Sequence, residues 1–575
     1  MILPTINQRL KRSAGPEFAK RGIVFIDRKE QETFFSWADI YQRAQMAAGY
    51  LRKLGIQKGD RVAIVLPTGI SFIDSFLGCQ LIGAIPVPLY PPVRLGRLDE
   101  YFEKTASMLQ AANICALVTD RKIKRIIGQV IARYNPKHGV ILEANLQQGP
   151  SYNGDQISPD HLAMAQFSSG TTQHPKPVGL THRQILSNVD AILGSISADE
   201  INSNPSGCSW LPLYHDMGLI GCIFPALSYP GTICLIPPEV FLAKPAIWLR
   251  AISRHKTLLS PAPNFAYAYC TERIKDKDLE GCDLSSWKIA LNGAEPVAPE
   301  HIRSFIERFQ KYGFHPNALT PVYGLAEASL AVSFSELEEK FKTVFFDREA
   351  LQNGMASVAT TDQLVTEMAS VGKPLTGFDI QIRDDENNLL PADRIGQIWV
   401  KGPSIMQGYL NNTPSPIQDG WLQTGDIGFV HEEELFISGR AKDIIILRGR
   451  NHSPHDIEQA VDNVEGVRTG CAVAVSDISN GAEKILLFVE YRAQRPGLLA
   501  DCRKAVLKAT GINLDEIVLL APGTIPRTSS GKLRRKETLK RFHASKLVPP
   551  KKVTSLYIAG AFAKSAIGYM KRKQS

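Results

Sequence analysis

Several short stretches of this 575-residue sequence concentrate residue types that handle phosphate, ribose and carboxylate groups. The first is SSGTTQHPKPV, residues 168–178. Ser168, Ser169, Thr171 and Thr172 offer hydroxyls, and backbone N–H groups around Gly170 can form an anion-binding nest. Lys176 adds a cation, although the spacing is not that of a P-loop. A Ser/Thr-rich surface turn remains open for this stretch taken alone. In WLPLYHDMGLIG (210–221), His215 and Asp216 interrupt an apolar run. Buried polar groups need partners or a task, and His215 could orient a substrate carboxylate or serve as a satisfied structural histidine. In LNGAEPV (291–297), Asn292, Gly293, Ala294 and Glu295 form a small-residue turn at a strand end, suited to a flat ring. In VYGLAEASLA (322–331), Tyr323 and Gly324 can border a base, and Glu327 can hold Mg²⁺. In WLQTGDIGF (421–429), Asp426 on a tight turn can accept from both ribose hydroxyls, with Arg440 close behind. Lys532 sits in the Ser/Gly loop of IPRTSSGKLRRKE (525–537), from which a mobile lysine can be delivered; a solvated basic loop is the alternative.

Taken together, these parts describe attack of a carboxylate on the α-phosphate of ATP, giving an acyl-adenylate and pyrophosphate. Both reactants are anions, so positioning and charge neutralisation carry the catalysis. Mg²⁺ through Glu327 and the ammonium of Lys532 would supply the neutralisation. The reaction needs no nucleophilic Ser or Cys.

The elements that must place these residues alternate in type. RVAIVLP (61–67), IPVPL (85–89) and ICALVTD (114–120) read as strands, and GISFIDSFLGCQLIGA (69–84) as a helix. This predicts an α/β fold with largely parallel sheets. From about residue 370, strand-like FDIQIRD, GQIWVKG and ELFISG follow one another, predicting a β-rich subdomain. GRAKDIIILRG (439–449) marks a boundary to a smaller α+β unit, with helices near 454–463 and 498–510 and strands near 470–475 and 484–491. The expected organisation is a large domain, 1–440, of two mixed α/β subdomains plus the β-rich part at about 373–440. A hinge at 441–444 (Lys442, Asp443) joins it to a small domain, 445–548, and a basic tail, 549–575.

Composition is that of a globular chain, 44% hydrophobic and 21% charged, with a net charge of +9. Basic residues gather at the end, so the body is only mildly basic and no nucleic-acid partner is expected. The tail reads as a solvated end, with weak docking to an acidic partner or a membrane surface as the alternative. SLYIAGAFAKSAIGYM (555–570) could lie on a membrane or pack as a terminal helix. Nine scattered cysteines without a C-x-x-C pair argue for reduced thiols and against zinc. No run is long and apolar enough for a signal peptide or a membrane span, so a cytoplasmic protein is expected.

SSGTT–PK, YHDMG, YGLAE, QTGD, GRAKD and PRTSSGK, in this order from about 160 to 537, resemble the adenylate-forming superfamily of acyl-CoA synthetases, peptide-synthetase adenylation domains and luciferases. WLPLYHDMGLIG, APNFAYAYC (262–270), YGLAEASLAVS, GRAKDIIILRGRNHSPHDIE and VPLYPP (87–92) narrow the likeness to fatty acyl-AMP ligases. That resemblance implies ATP and Mg²⁺, a medium- or long-chain fatty acid, and transfer of the acyl group to the phosphopantetheine thiol of an acyl carrier protein. It also implies Lys532 as the adenylation lysine, Asp426 and Arg440 at ribose, Glu327 at the metal, Lys442 at the pivot, and an acyl tunnel beside His215, Asp216 and Phe265. Residues 341–372 resemble the insertion that restrains the small domain in that family. Within it KTVFFD reads as a strand and DREALQNG as a short helix, capped by Asp347, ended by Gly354 and anchored by Phe345, Phe346 and Leu351.

Gln173 and Pro177 stand where the superfamily usually has glycine. Pro fixes φ and lacks an N–H, so 174–178 should be a stiff exit from the loop, with the donors of Ser168 to Thr172 upstream of it. A fatty acyl-CoA synthetase is the alternative function, and a catalytically inactive nucleotide-binding regulator a second one. Retention of Lys532, Glu327, Asp426 and Arg440 argues against the latter.

Overall fold

The structure, a computed structural model, describes all residues except 1–2, 93–94, 169–174, 361–363, 448–449, 478–483, 529–530, 552 and 574–575. Two sheets build most of the large domain. A four-stranded parallel sheet runs in the order Ile85–Leu89, Arg61–Val65, Ala116–Thr119, Val140–Leu142. The second sheet has nine strands, and its central six, from Leu319–Gly324 across to Gly22–Ile26, are parallel. Antiparallel strands close both of its edges. Strands such as Arg61–Val65 and Ile85–Leu89 are near-continuous apolar runs, as strands buried on both faces are.

Local signals set the helices. Trp37–Lys53 starts at a capping box between Ser36 and Asp39, and it buries Trp37, Ile40, Ala44, Ala48 and Leu51 on one face. Ala47 on that helix lets Ile70–Leu81 approach closely; a Cβ on Gly78 would lie 2.7 Å from the Ala47 Cβ. Under the nine-stranded sheet, Trp248, Trp287, Tyr267, Phe305 and Phe314 pack edge to face. Each such ring contributes about 1.5–3 kcal/mol by leaving water.

Beyond residue 375 the fold turns β-rich, as the sequence predicts. Asp379–Arg383, Gly396–Lys401, Ile417–Gln418, Trp421–His431 and Glu434–Arg440 form one antiparallel sheet. Past the 441–444 segment, Val467–Asp477, Lys484–Tyr491 and Glu516–Leu520 make a three-stranded sheet backed by Pro454–Asp462 and Leu498–Thr510. This is the α+β unit expected there.

The 341–372 segment contains a hairpin, Thr343–Asp347 with Val365–Ala369. Asp347 caps the short helix Arg348–Gln352 through the Ala350 N–H, and Gly354 follows at φ +80°. Phe346 is fully buried against Phe429, Phe436 and His431. Phe345 does not share that role. It is half exposed, because successive strand residues face opposite sides of a two-stranded ribbon.

The end of the chain follows the terminal-helix reading of 555–570 rather than that of a solvated end. Ser555–Lys573 is a helix lying along Gly128–Arg133. The Gly128 N–H donates to the Ser565 hydroxyl at 2.8 Å, and the Tyr569 hydroxyl donates to the Lys124 carbonyl at 3.1 Å. Gly568 and Gly128 allow backbone contact that a side chain would block. Among the described residues no helix is long and apolar enough to cross a membrane.

Candidate active site

The site forms where the carboxyl ends of the parallel strands meet the β-rich sheet and the small domain. This is the usual location of ligand sites in open α/β sheets. Asp426 is the focus. It lies inside the long strand Trp421–His431 rather than on an isolated tight turn, and Gly425, at φ +76°, precedes it. The Tyr323 hydroxyl donates to Asp426 Oδ2 at 2.7 Å, and Arg440 Nε lies 3.0 Å from Oδ1. The register pairs Asp426 with Arg440 directly across the two strands, which explains their 14-residue spacing. Burial raises the Tyr323 phenol, and the nearby Asp426 charge raises it further, so it stays a donor. The Asp426 carboxylate raises Arg440, although burial opposes it.

Lys532 reaches this centre from the small domain. Its N–H donates to the Thr528 hydroxyl at 3.0 Å, the Thr528 N–H returns to the Lys532 carbonyl at 2.8 Å, and Gly531 sits at φ +94°. The side chain lies in the field of Arg440, Asp216, Glu295 and Asp426, in decreasing order of influence. Burial and Arg440 together lower its pKa below that of an ordinary lysine, with the three carboxylates opposing. Asp216 responds in the other sense. Burial favours its neutral form, but His215 and Lys532 outweigh this and hold its carboxyl below the usual range. His215 Nδ1 stands 2.5 Å from Asp216 Oδ1. Burial raises Glu295, whose Oε1 accepts the Phe265 N–H at 2.5 Å.

The turn after Ile289–Asn292 comes close to the same space. A Cβ on Gly293 would lie 2.7 Å from Val322, and Ala294 adopts φ +70°. Positive φ at a non-glycine residue is local strain that the surrounding packing must hold. Asn292 is fully buried and bonds Asn264. Gly324 lets the strand pass under Leu330, whose carbonyl would be 1.9 Å from an added Cβ.

Of the Ser/Thr loop, Ser169, Gly170, Thr171 and Thr172 lie outside the described residues. Its two ends are described. The loop closes the hairpin Leu162–Phe167/Pro177–Thr181, and the Ser168 N–H donates to the Lys176 carbonyl at 3.2 Å. The exit is tied down. The Leu410 N–H bonds the Pro177 carbonyl, and the Asn411 side chain bonds that of Pro175. Gln173 and residue 174, at the start of the expected stiff exit, lie outside the described residues. Lys176 Nζ stands 5.1 Å from the centre of the Tyr409 ring, and the Tyr409 hydroxyl donates to Glu327 Oε1 at 3.1 Å. Burial and the neighbouring cation of Lys442 lower Lys176, against the pull of Glu327. Tyr409 and the proximity of Lys442 escaped the sequence reading. Only the Gly-Tyr pair in QGYL, 407–410, hinted at the former.

A cavity of about 580 Å³ opens from this cluster. His215, Asp216, Glu327, Arg440, Lys442 and Lys532 line one part, and Ile192, Ile196, Ile201, Cys222, Leu291 and Leu330 another. Phe265 is not on this cavity. It faces the wider cleft between the domains, edge-on to Trp210 at 5.8 Å. His215 lines both the narrow cavity and the cleft, so it stands between Asp216, on the cavity, and Phe265, on the cleft.

The small domain is held by two kinds of contact. At the hinge, buried Asp443 and Glu458 both pair with Arg535, at 3.0 Å and 2.6 Å. At the rim, Glu100 meets Arg541, Glu272 meets Arg492, and Glu349 of the insertion meets Arg450. Arg97 donates to the carbonyls of Gly523, Thr524 and Val548.

Comparison with known proteins finds relatives over almost the whole chain. A family profile described as AMP-binding enzyme matches residues 14–410. A second, described as the AMP domain of Disco-interacting protein 2-like proteins, matches 442–552. A putative acyl-CoA synthetase of Caulobacter vibrioides is 32% identical, over 93% of this chain and 97% of its own. A medium-chain-fatty-acid–[acyl-carrier-protein] ligase, JamA of Moorena producens, is 31% identical, over 90% and 91%. A solved chain from work on fatty acyl-adenylate ligases of E. coli and L. pneumophila superposes with a TM-score of 0.88 at 32% identity, over 94% of this chain and 98% of that one.

Proposed function

Because this chain belongs to the AMP-binding enzyme family, whose members form acyl-adenylates, we propose that it activates a medium- or long-chain fatty acid with ATP and passes the acyl group to a phosphopantetheinylated acyl carrier protein. One observation carries this reading. Lys532, Asp426, Tyr323 and Arg440 converge where a cavity with a largely apolar wall opens. A long acyl chain fits the apolar wall, and its carboxylate would lie beside His215 and Lys532.

In this reading Asp426 accepts from the ribose hydroxyls, held by Tyr323 and Arg440. The turn of Asn292 to Glu295, with Tyr323 and Gly324, borders the adenine. Ser168 to Thr172 cradle phosphate, and Lys176 supports them. The Lys532 ammonium offsets charge on the α-phosphate as the carboxylate attacks and pyrophosphate departs. Glu327 suits Mg²⁺: it is a carboxylate near Lys176, among the described residues Tyr409 engages one of its oxygens, and Mg²⁺ commonly takes one or two carboxylates plus substrate phosphates. The ion would neutralise phosphate charge there.

Carrier protein is favoured over coenzyme A as acceptor by the insertion. Its hairpin is anchored by Phe346 on the β-rich sheet and by Glu367 on Arg303, while Glu349 and Gln352 reach Arg450 and His452 of the small domain. Such a bridge would limit the rotation that a coenzyme A reaction needs. Likeness to the Caulobacter synthetase keeps the coenzyme A reading as the alternative.

The test supplies the protein with Mg²⁺, ATP and a panel of fatty acids, splits the mixture between coenzyme A and a phosphopantetheinylated carrier, and follows products by mass. Acyl-AMP consumed only with the carrier supports the proposal, whereas ready acyl-CoA formation replaces it with the synthetase reading. Lys532→Ala should lower adenylation about 100- to 1000-fold while nucleotide binding persists. Full adenylation by that variant refutes the assigned role.

A further inference from the structure

The C-terminal helix Ser555–Lys573 shows two unlike faces. Ser565, Gly568, Ala561 and Tyr569 turn inward onto residues 124–129. Outward, at helical spacing, stand Ala559, Phe562, Ala563, Ala566, Ile567 and Met570, all exposed. Phe562 is 39% exposed, Ile567 46% and Met570 59%. A soluble surface helix normally turns its apolar face to the core and its polar face to water; here the outward face is apolar.

Charge is concentrated beside this row. Residues 121–142 carry six basic side chains and 555–575 carry four, with no Asp or Glu in either segment. What remains of the chain has 56 basic against 57 acidic residues, so these two segments hold the entire positive excess. Arg121, Lys122, Arg125, Arg133 and Lys564 are exposed, and none of them makes an ion pair among the described residues. Among the described residues none of the C-terminal helix lines either cavity, and its alanines leave the outward face shallow. The surface therefore asks for a flat, anionic, apolar-cored partner. It also adjoins the wide cleft, whose wall includes Lys122, Ile123 and Ile126 and which reaches Ser168 and His215.

We propose that the C-terminal helix and the adjoining 121–137 surface dock this protein on an anionic lipid bilayer. Phe562, Ile567 and Met570 enter the boundary between headgroups and acyl chains, and the basic residues face the lipid phosphates. The helix lies in the plane of the surface and does not cross the bilayer. The inference is independent of which acid the active site takes.

The test is co-sedimentation of the full chain with phosphatidylcholine vesicles, with and without phosphatidylglycerol, at low and high salt. Anionic vesicles should bind at least about tenfold more tightly, since each surface cation contributes about fivefold, and high salt should abolish the difference. Arg121→Glu/Arg125→Glu and Phe562→Ser/Met570→Ser should each lose more than about tenfold, with ATP–pyrophosphate exchange unchanged as proof of folding. Equal binding to neutral and anionic vesicles, binding to neither, or binding indifferent to both variants overturns the proposal. Self-association seen by light scattering, abolished by Phe562→Ser/Met570→Ser in a protein that ignores vesicles, would give the face to a second copy instead.

Discussion

Replacing Arg535 with methionine removes the one cation shared by two buried carboxylates. Arg535 donates from Nε and Nη2 to Glu458 at 2.7 and 2.6 Å and from Nη1 to Asp443 at 3.0 Å. The Glu458 and Asp443 side chains are only 7% and 6% exposed, so water cannot replace the guanidinium. Breaking a buried pair from one side costs about 3–5 kcal/mol, because the charge left behind is unpaired. In a unit of about 100 residues, 1 kcal/mol moves the melting point by about 4–8 °C, so a fall of roughly 12 °C or more is expected. Hydrogen exchange of the Pro454–Asp462 amides reads this locally. Adding Glu458→Gln to Arg535→Met should restore part of the loss, although Glu458→Gln alone destabilises; that sign of coupling identifies an unpaired charge rather than lost packing. Burial already raises Glu458 against the pull of Arg535, and without Arg535 its folded pKa rises further above the unfolded value. The single variant must then lose stability as pH rises through that pKa and regain it below. Because Lys532 lies three residues before Arg535, adenylation should fall on the order of 100-fold through misplacement. A loss below about 1 kcal/mol, or strictly additive effects of the two substitutions, would refute the reasoning.

Tyr323→Phe deletes a hydroxyl donating to a buried carboxylate, worth about 1.5–3 kcal/mol. The KM for ATP should rise by about 10- to 150-fold in pyrophosphate exchange, and a change within twofold would separate Asp426 from ATP. Phe346→Ala should weaken the insertion's anchor by about 3–5 kcal/mol. Amides of 343–347 would lose hydrogen-exchange protection and acyl-CoA yield would rise; unchanged acceptor choice with a loosened hairpin would remove the insertion from acceptor control. Burial raises Asp462 to about 7, against the hydrogen bond from the Gly470 N–H. Its protonated form therefore favours folding, and that contribution is lost as pH climbs from about 4 to 7. Asp462→Asn should flatten denaturant midpoints across this window, and an unaltered slope would show that Asp462 titrates normally.

Sequence patterning foretold most of the fold because the strands between 61 and 142 are short apolar runs punctuated by helices of clear period. The β-rich texture past residue 375 was as legible. Motif residues were legible as types but not as neighbours. Nothing local links Tyr323 to Asp426, which meet only when the nine-stranded sheet packs on the β-rich sheet. The role of Tyr409 was hidden for the same reason: its partners Glu327 and Lys176 lie 82 and more than 200 residues away. Phe345 and Phe346 read alike in one dimension, and only the pairing of the hairpin assigns one of them to the core. The tail's charges and its apolar stretch gave opposite signals. Lysines advertise a solvated end, whereas Ser565 and Gly568, two small residues three apart, fix the helix to Gly128.

The rim contacts of the small domain have a kinetic meaning. Glu100–Arg541, Glu272–Arg492 and Glu349–Arg450 are separate, partly hydrated pairs, each contributing about 0–1 kcal/mol, and they can let go one at a time. A seam of this kind has no single bond whose rupture limits opening. Its lifetime is set by the sum of many small terms, all reduced together by mobile ions. If release of the closed pose limits turnover, kcat will rise with added salt before ATP affinity falls, and the enzyme will run fastest at an intermediate ionic strength.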